Sequence, residues 1–336
     1  MHKSTTITRR DFIKITAVAG GMLVGGKYLT SLLGEKQTTV RETRMLMGTV
    51  INLAVVAESK LAGEAAVAAT FAELERQIGI FDHRTDGTPV AMLNQAGVLD
   101  NPPTELVDVL TQARTVSEMT GGAFDITVKP LVDLYKQAQP DLPDESAVKA
   151  ALALVDYRQV EMGNTQVAFA LPGMAITLDG IAKGYIVDAG VAELKRLGYP
   201  NVYVEAGGDL MAAGEKESAL PWKVGVQSPR QTESGILASF NLSDQAVATS
   251  GDYMQYYSPD MRYHHIIDPR VGVSPAELAS VSIFSERAAL SDALATGVMV
   301  LGIEAGMQLI EQIARVEGFL VDKALVEYQS AGLSVL

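Results

Sequence analysis

The sequence predicts an α+β protein built from antiparallel sheets with packed helices. Three observations carry that reading: β-rich apolar runs near both ends of the chain, helical periodicity between them, and no regular strand–helix alternation of the doubly wound kind. Residues 49–56 (TVINLAVV) are apolar and β-branched, a buried strand. Residues 62–77 then place Ala66, Ala69, Phe71 and Leu74 at helical spacing, and residues 81–89 are polar and turn-like. A second helix over 104–120 carries Leu106, Val109, Leu110 and Ala113 on one face and stops at Gly121-Gly122. Residues 137–144, with Pro140 and Pro143, form a loop before a helix over 146–154. Segments 159–162 and 166–171 flank Gly163-Asn164 as a hairpin. A strong helix over 181–197 ends at Gly198, ahead of a strand over 202–205 and a glycine turn. Strands dominate 223–284, a helix covers 291–301, and segments 319–322 and 324–328 close the chain as a hairpin. No composition break divides residues 40–336, which read as one elaborated unit.

Composition removes several function classes. The chain has 336 residues, a formal net charge of −13, four histidines and no cysteine. Thiol nucleophiles, cysteine-ligated metals, disulfide frameworks and a lipidated cysteine are therefore excluded, and four histidines are few for a multi-histidine metal site. The acidic balance argues against a dedicated nucleic-acid binder, which needs a basic face to release phosphate counterions. The charge is unevenly placed. Residues 1–36 hold six basic and two acidic side chains, which leaves 21 basic and 38 acidic in the remainder. Thr8-Arg9-Arg10-Asp11-Phe12-Ile13-Lys14, followed by an apolar, glycine-interrupted stretch, has the pattern of a twin-arginine export signal. The expectation is a signal over residues 1–36 and a folded protein delivered to the periplasm or the outer face of the cytoplasmic membrane. The stretch is too interrupted for a convincing spanning helix.

Four segments carry more glycine and polar character than packing requires. Residues 120–130 (TGGAFDITVKP) read either as a helix cap followed by a strand, or as a close backbone approach to a ligand with Asp125 as acceptor. Residues 177–185 (TLDGIAKGY) have the form strand, glycine turn, helix start; such a start offers N–H groups to a phosphate, with Lys183 adding charge. Ordinary strand-to-helix packing is the other reading. In Glu205-Ala206-Gly207-Gly208-Asp209 the glycines mark a turn, and a buried Asp209 is expected to hydrogen-bond loop backbone. Asp292 and Thr296 stand at i and i+4 near a helix start. A carboxylate and a hydroxyl there suit a hard cation such as Mg2+, whereas Ser291 or Asp292 as a cap is the structural alternative. His264-His265-Ile266-Ile267-Asp268-Pro269 holds the only adjacent histidines; on a strand they face opposite ways, so one of them points toward a polar cleft.

Taken in order, Met47-Gly48-Thr49, Gly122-Ala123-Phe124-Asp125, Gly180-Ile181-Ala182-Lys183-Gly184, Ala206-Gly207-Gly208-Asp209, Thr249-Ser250-Gly251-Asp252-Tyr253, His265-Ile266-Ile267-Asp268-Pro269 and Asp292-Ala293-Leu294-Ala295-Thr296 resemble the ApbE family of FAD:protein FMN transferases, from about Met45 to Gly302. The resemblance implies a fold related to the T-fold, FAD as substrate, Mg2+ as cofactor, and a threonine of an acceptor flavoprotein as the group modified. By the same resemblance Met47, Ala123, Phe124, Asp125, Lys183 and Ile266 fall on flavin- or FAD-contacting positions. Asp292 and Thr296 fall on the metal-binding pair, and Gly180 on a position reaching the metal through its main-chain oxygen. Two positions depart from the pattern. Thr177 stands where the family usually has aspartate, with Asp179 as a substitute carboxylate two residues later, and Arg84 stands where a stacking tyrosine is usual. The T-L-D-G-I-A pattern together with the export signal is similar to the NosX-like branch, whose acceptor is a NosR-like respiratory flavoprotein. His265, from its place in its motif, is the candidate proton acceptor for the threonine hydroxyl. The alternatives to transfer are an FAD pyrophosphatase giving FMN and AMP, and a non-catalytic FAD carrier.

Overall fold

The computed structural model describes residues 37–163, 165–216, 219–230 and 235–336. The expected export signal over residues 1–36 lies outside them.

In chain order the elements are β1 (Thr38–Leu46), β2 (Thr49–Ala57), α1 (Lys60–Phe81), α2 (Pro89–Ala96), β3 (Val98–Asp100), α3 (Thr104–Met119), α4 (Lys129–Ala138), α5 (Glu145–Leu152), β4 (Val160–Met162) and β5 (Gln166–Phe169). There follow α6 (Ala182–Arg196), β6 (Val202–Ala206), β7 (Asp209–Ala213), β8 (Trp222–Gln227), β9 (Ile236–Leu242), β10 (Gln245–Gly251), β11 (Leu278–Ser285), α7 (Ala288–Leu301), α8 (Ile303–Gln312), β12 (Glu317–Asp322) and β13 (Glu327–Gln329). Eight strands form one antiparallel sheet in the order β1-β2-β6-β7-β10-β11-β12-β13. Strands β3-β5-β4 and β8-β9 make two smaller sheets.

The unbroken apolar run in β2 follows from cover on both faces of the large sheet. Ile51, Leu53 and Val55 point into a core shared with α1, α6 and α7, whereas Ala54 and Val56 point into a second core. There Trp222 and Phe240 of the β8–β9 hairpin meet Phe284 and Phe319. Strand β11 is buried at every position for the same reason. Phe71 and Leu74 of α1 are fully buried against the first face, each stabilising by about 2–3 kcal/mol.

Local structure departs from the expected elements in several places, among them residues 177–178, where irregular chain rather than a strand leads into the glycine turn. Residues 126–128 form a 3-10 turn running into α4 rather than a strand; Pro130, placed in the first turn of α4, favours the helix over the β-branched run before it. The segment 265–268 is irregular rather than a strand, so strand alternation does not decide where the two histidines point. Helix α2 was not expected at all. Thr88 caps it, Pro89 opens it, and Gly97 ends it at φ 73.

What positions the site is the crossing of α6 and α7. Asp292 of α7 accepts from the Gly184 N–H of α6 at 3.1 Å, and Asp188 of α6 accepts from the N–H groups of Ala288 and Ala289 at 2.7 and 3.0 Å. The two helices therefore run antiparallel, each supplying a carboxylate to the first turn of the other. A β-carbon on Gly184 would sit 2.2 Å from the Ala288 carbonyl oxygen, so the crossing requires glycine.

Candidate active site

Helix α7 begins at Ala288, so Asp292 lies one turn inside it and does not cap it. That overturns the capping alternative: Asp188 does the capping from the neighbouring helix, while Ser291 bonds Ser285 at 2.8 Å. Asp292 is free to face the first turn of α6, with Thr296 one turn further on. Both are at the end of the large sheet where β6 turns into β7 and β10 ends. Thr296 Oγ1 meets Ser250 Oγ at 3.2 Å.

A buried charge node joins these elements. The Lys183 ammonium contacts the Asp209 carboxylate directly and Asp292 Oδ1 at 3.4 Å. Asp209 also accepts from the Thr249 N–H at 3.3 Å. Asp209 was expected only to bond loop backbone; its main partner is Lys183, 26 residues away in sequence, which no local pattern announces. Burial, and then the Asp209 charge, push the Asp292 carboxyl above the ordinary carboxylate range; Lys183 and the Gly184 N–H pull it back. Burial opposes the charge on Lys183, but Asp209 and then Asp292 outweigh it and hold the ammonium protonated. The helix start is not the open phosphate cradle that its sequence suggested. Ile181 and Ala182 donate to the Leu178 carbonyl, and Gly184 donates to Asp292.

Gly180 lies against the node. A β-carbon there would be 3.1 Å from Thr296 Oγ1 and 3.3 Å from the Phe124 ring, so its backbone approaches the α7 hydroxyl as closely as only glycine allows. Phe124 also packs beside Gly297, and Ala123 is buried next to it. Both Asp125 oxygens are occupied: one accepts from Thr127 N and Oγ1 at 2.8 and 2.6 Å, the other from Tyr157 N at 2.9 Å. Burial raises its pKa against those bonds. Asp125 thus orders the segment that carries Phe124. Thr177 donates its N–H to Ile126 O at 2.8 Å and accepts from Asp179 N at 3.2 Å, tying the two motif segments together.

Arg84, one of the two positions that depart from the expected pattern, pairs with Asp179, two residues beyond the other. Arg84 grips Asp179 with both terminal nitrogens, the longer bond at 3.1 Å. Asp179, the carboxylate expected to substitute for one at position 177, is thus engaged by Arg84. His83 Nδ1 lies 3.9 Å from the same carboxylate. Met47 sits in the two-residue β1–β2 turn at φ 53, followed by Gly48 at φ 69, the left-handed pair that a tight hairpin takes. The neighbouring β6–β7 turn places Gly207 against Thr49, so the hairpin tip and Asp209 share one end of the sheet.

His265 and Ile266 lie on the long connection between β10 and β11. Ile266 is buried in the main core. His265 is half-buried, and both its N–H and its Nδ1 meet the Gln255 carbonyl, at 2.9 and 3.0 Å. A carbonyl only accepts, so Nδ1 carries the proton and the Nε2 lone pair is free. Burial lowers the His265 pKa most; Asp179 raises it, and Lys183 and Lys136 lower it further. The ring is therefore neutral near pH 7 and lies within electrostatic reach of both Asp179 and Lys183.

A separate groove of about 490 Å³ is lined by Asp108, Gln112, Tyr185, Asp188, Lys195 and Arg287 and shares no residue with this node. Among its polar groups Tyr185 bonds Asp108 and Asp188 bonds the α7 start.

Residues 47–320 match the ApbE family. The chain belongs to that family. It is similar to the FAD:protein FMN transferase of Vibrio cholerae, 30% identical over 266 residues covering 76% of each chain. The protein of the same name from Treponema pallidum is 32% identical over 302 residues, covering 82% of this chain and 83% of that one. Among solved structures, the flavin transferase ApbE from Vibrio cholerae superposes with a TM-score of 0.78 at 27% identity, over 88% of this chain and 98% of that one. The family match spans the hairpin bearing Met47, the Gly180–Lys183 segment, the histidine loop and the α7 pair. No helix among the described residues is long and apolar enough to cross a membrane.

Proposed function

We propose that this ApbE-family enzyme is an FAD:protein FMN transferase that moves FMN from FAD to a threonine hydroxyl of an acceptor protein, releasing AMP. The observation that carries the proposal is the approach of Gly180 to Thr296, which shares a helix face with the buried Asp292 beside the Lys183 ammonium. The first three are an all-oxygen donor set of carboxylate, hydroxyl and main-chain carbonyl, which suits Mg2+. Gly180 lacks the β-carbon that would fill the space in front of Thr296. These residues would hold the ion, and bound Mg2+ supplies charge neutralisation for a diphosphate under attack.

The chain's own groups then divide the remaining work. The difficulty of the reaction is negative charge, on the diphosphate and on departing AMP, and Lys183 holds a permanent positive charge at the node. The acceptor threonine oxygen forms a bond to the phosphorus on the FMN side; the bond from that phosphorus to the bridging oxygen breaks, and AMP takes the electron pair. The hydroxyl proton passes to Nε2 of His265, the nitrogen that the Gln255 carbonyl leaves unengaged. Arg9-Arg10 and the apolar stretch behind them support delivery by the twin-arginine route to the periplasm or the outer face of the cytoplasmic membrane. The T-L-D-G-I-A segment supports a NosR-like respiratory flavoprotein as acceptor.

The same site can hydrolyse FAD if water takes the place of threonine. Mass spectrometry of the products of FAD and Mg2+, with and without a threonine-bearing acceptor, separates the two. Covalent FMN on threonine is expected; FMN and AMP released at the same rate regardless of acceptor would assign a pyrophosphatase instead.

A further inference from the structure

The T-S-G-D-Y segment has no role in the reaction as described, yet it contains a fully buried carboxylate, Asp252. Three parts of the chain meet on it. Arg230, beyond β8, donates from both terminal nitrogens at 2.8 Å each. Lys323, from the β12–β13 turn, donates to Asp252 Oδ2 and also, at 3.1 Å, to the Met261 carbonyl. Met261 is a non-glycine residue at φ 57, a conformation that costs energy and is retained where the surroundings fix it.

The path of the loop gives this contact a consequence. The chain leaves Asp252, passes Gln255 and Tyr256, turns at residues 258–261, and returns through His264 and His265. Tyr256 and His264 face each other as an antiparallel bridge, and His265 bonds back to the Gln255 carbonyl. Lys323 therefore touches both the root of the loop, at Asp252, and its tip, at Met261. His265 depends on that geometry more than its neighbour does. Ile266 is anchored in the main core, whereas the His265 ring is held through Gln255, on the arm that Lys323 braces.

We propose that Lys323 is a positioning residue for His265: its ammonium ties the loop tip to its root and so fixes the Gln255 carbonyl that aims the imidazole. The inference rests on His265 taking the threonine proton, as proposed above. Lys323 does not touch the reacting atoms, and its removal leaves the loop attached. Ser274 Oγ still accepts from His264 N at 2.9 Å, and Arg262 still donates to Ser274 O at 3.0 Å.

The test is a double-mutant cycle with FAD, Mg2+ and a threonine-bearing acceptor. Wild type and His265→Ala are measured first; no transfer by wild type, or full activity in His265→Ala, removes the catalytic reading and this inference with it. Lys323→Met is then expected to lower kcat about tenfold or more, since small displacements of a reacting group are costly. FAD affinity, read by flavin fluorescence, should stay within about twofold, a small change next to the loss in kcat. Lys323→Arg should restore most of kcat, and Lys323→Met added to His265→Ala should cost nothing further. An unchanged kcat in Lys323→Met, or an equal further loss in the His265→Ala background, overturns the positioning role while leaving the transferase reading intact. Thermal unfolding is followed in parallel, and if Lys323→Met does not fold, Lys323→Gln takes its place with the same two outcomes.

Discussion

The α6–α7 crossing and the loops above it use the same chemical group, a carboxylate, in opposite surroundings. At the crossing Asp188, Asp209 and Asp292 are buried or nearly so and bound to backbone N–H groups or to Lys183. Above it, Asp179 and Arg84 pair with each side chain about half exposed to solvent. A buried pair that loses one partner leaves an uncompensated charge and costs roughly 3–5 kcal/mol, whereas an exposed pair contributes roughly 0.2–1 kcal/mol. The proposed ion-holding pair, Asp292 and Thr296, therefore stands where geometry is costly to change, and His265 joins it from a loop. Arg84, read from the sequence as a departure from the family pattern, stands in the exposed pair, where substitution costs little.

The sharpest way to break the comparison is at Asp292. Asp292→Ala should lose Mg2+-dependent transfer by on the order of 100-fold or more, as removal of other preorganised electrostatic groups does. Steady-state rates over a Mg2+ titration check it, and retention of wild-type rate would place the centre elsewhere. His265→Ala comes next: about a 100-fold loss of transfer, at the lower end for a general base, with FAD binding unchanged by fluorescence.

His264, one residue away, should respond through stability instead. Its ring is fully buried, Nε2 lies 3.2 Å from the Pro275 carbonyl, and Nδ1 has no hydrogen-bond partner among the described residues. Burial pushes its pKa down to about 4. The unfolded chain takes up a proton as pH falls through 6.5, while the folded chain resists until about 4. Stability is therefore full above pH 6.5 and declines as pH drops toward 4, by about 2–3 kcal/mol. Urea unfolding at pH 7 and pH 4.5 should show a drop that flattens in His264→Gln; an equal drop in both proteins assigns it to other groups.

Smaller effects belong to the supports. Asp188→Ala removes the acceptor for two N–H groups at the start of α7 and should cost about 1 kcal/mol, measured by thermal unfolding. Smallest of all, Arg84→Ala or Asp179→Asn should change stability by less than about 1 kcal/mol. Destabilisation by several kcal/mol there would erase the distinction between crossing and loops.

What the sequence disclosed divides along the same line. Residues that act within one element were visible: Asp292 and Thr296 share a helix face because of their i, i+4 spacing, whereas Gly180 stood out only through the family resemblance. Pairings across the fold were not. Lys183 and Asp209 meet only when β7 is laid beside α6, and Asp188 reaches the start of α7 from 100 residues away. Arg84 stood out as a departure and Asp179 as a substitute carboxylate for position 177, but only the fold shows the two paired with each other. Two misreadings came from local propensity. Ile126-Thr127-Val128 has β-branched character, yet Pro130 and the contacts of Asp125 turn the chain into a helix. Helix α2 carried its full set of signals at Thr88, Pro89 and Gly97 but is only 8 residues long.

The central claim is that the α6–α7 node catalyses transfer to protein and is more than a cradle for flavin. Mass analysis of a threonine-bearing acceptor peptide after incubation with FAD and Mg2+, using wild type and Asp292→Ala side by side, tests it most directly. An FMN adduct on the threonine is expected with wild type, its near absence with Asp292→Ala, and FAD bound by both proteins. Equal adduct from the two proteins, or bound FAD with no adduct from either, would contradict it.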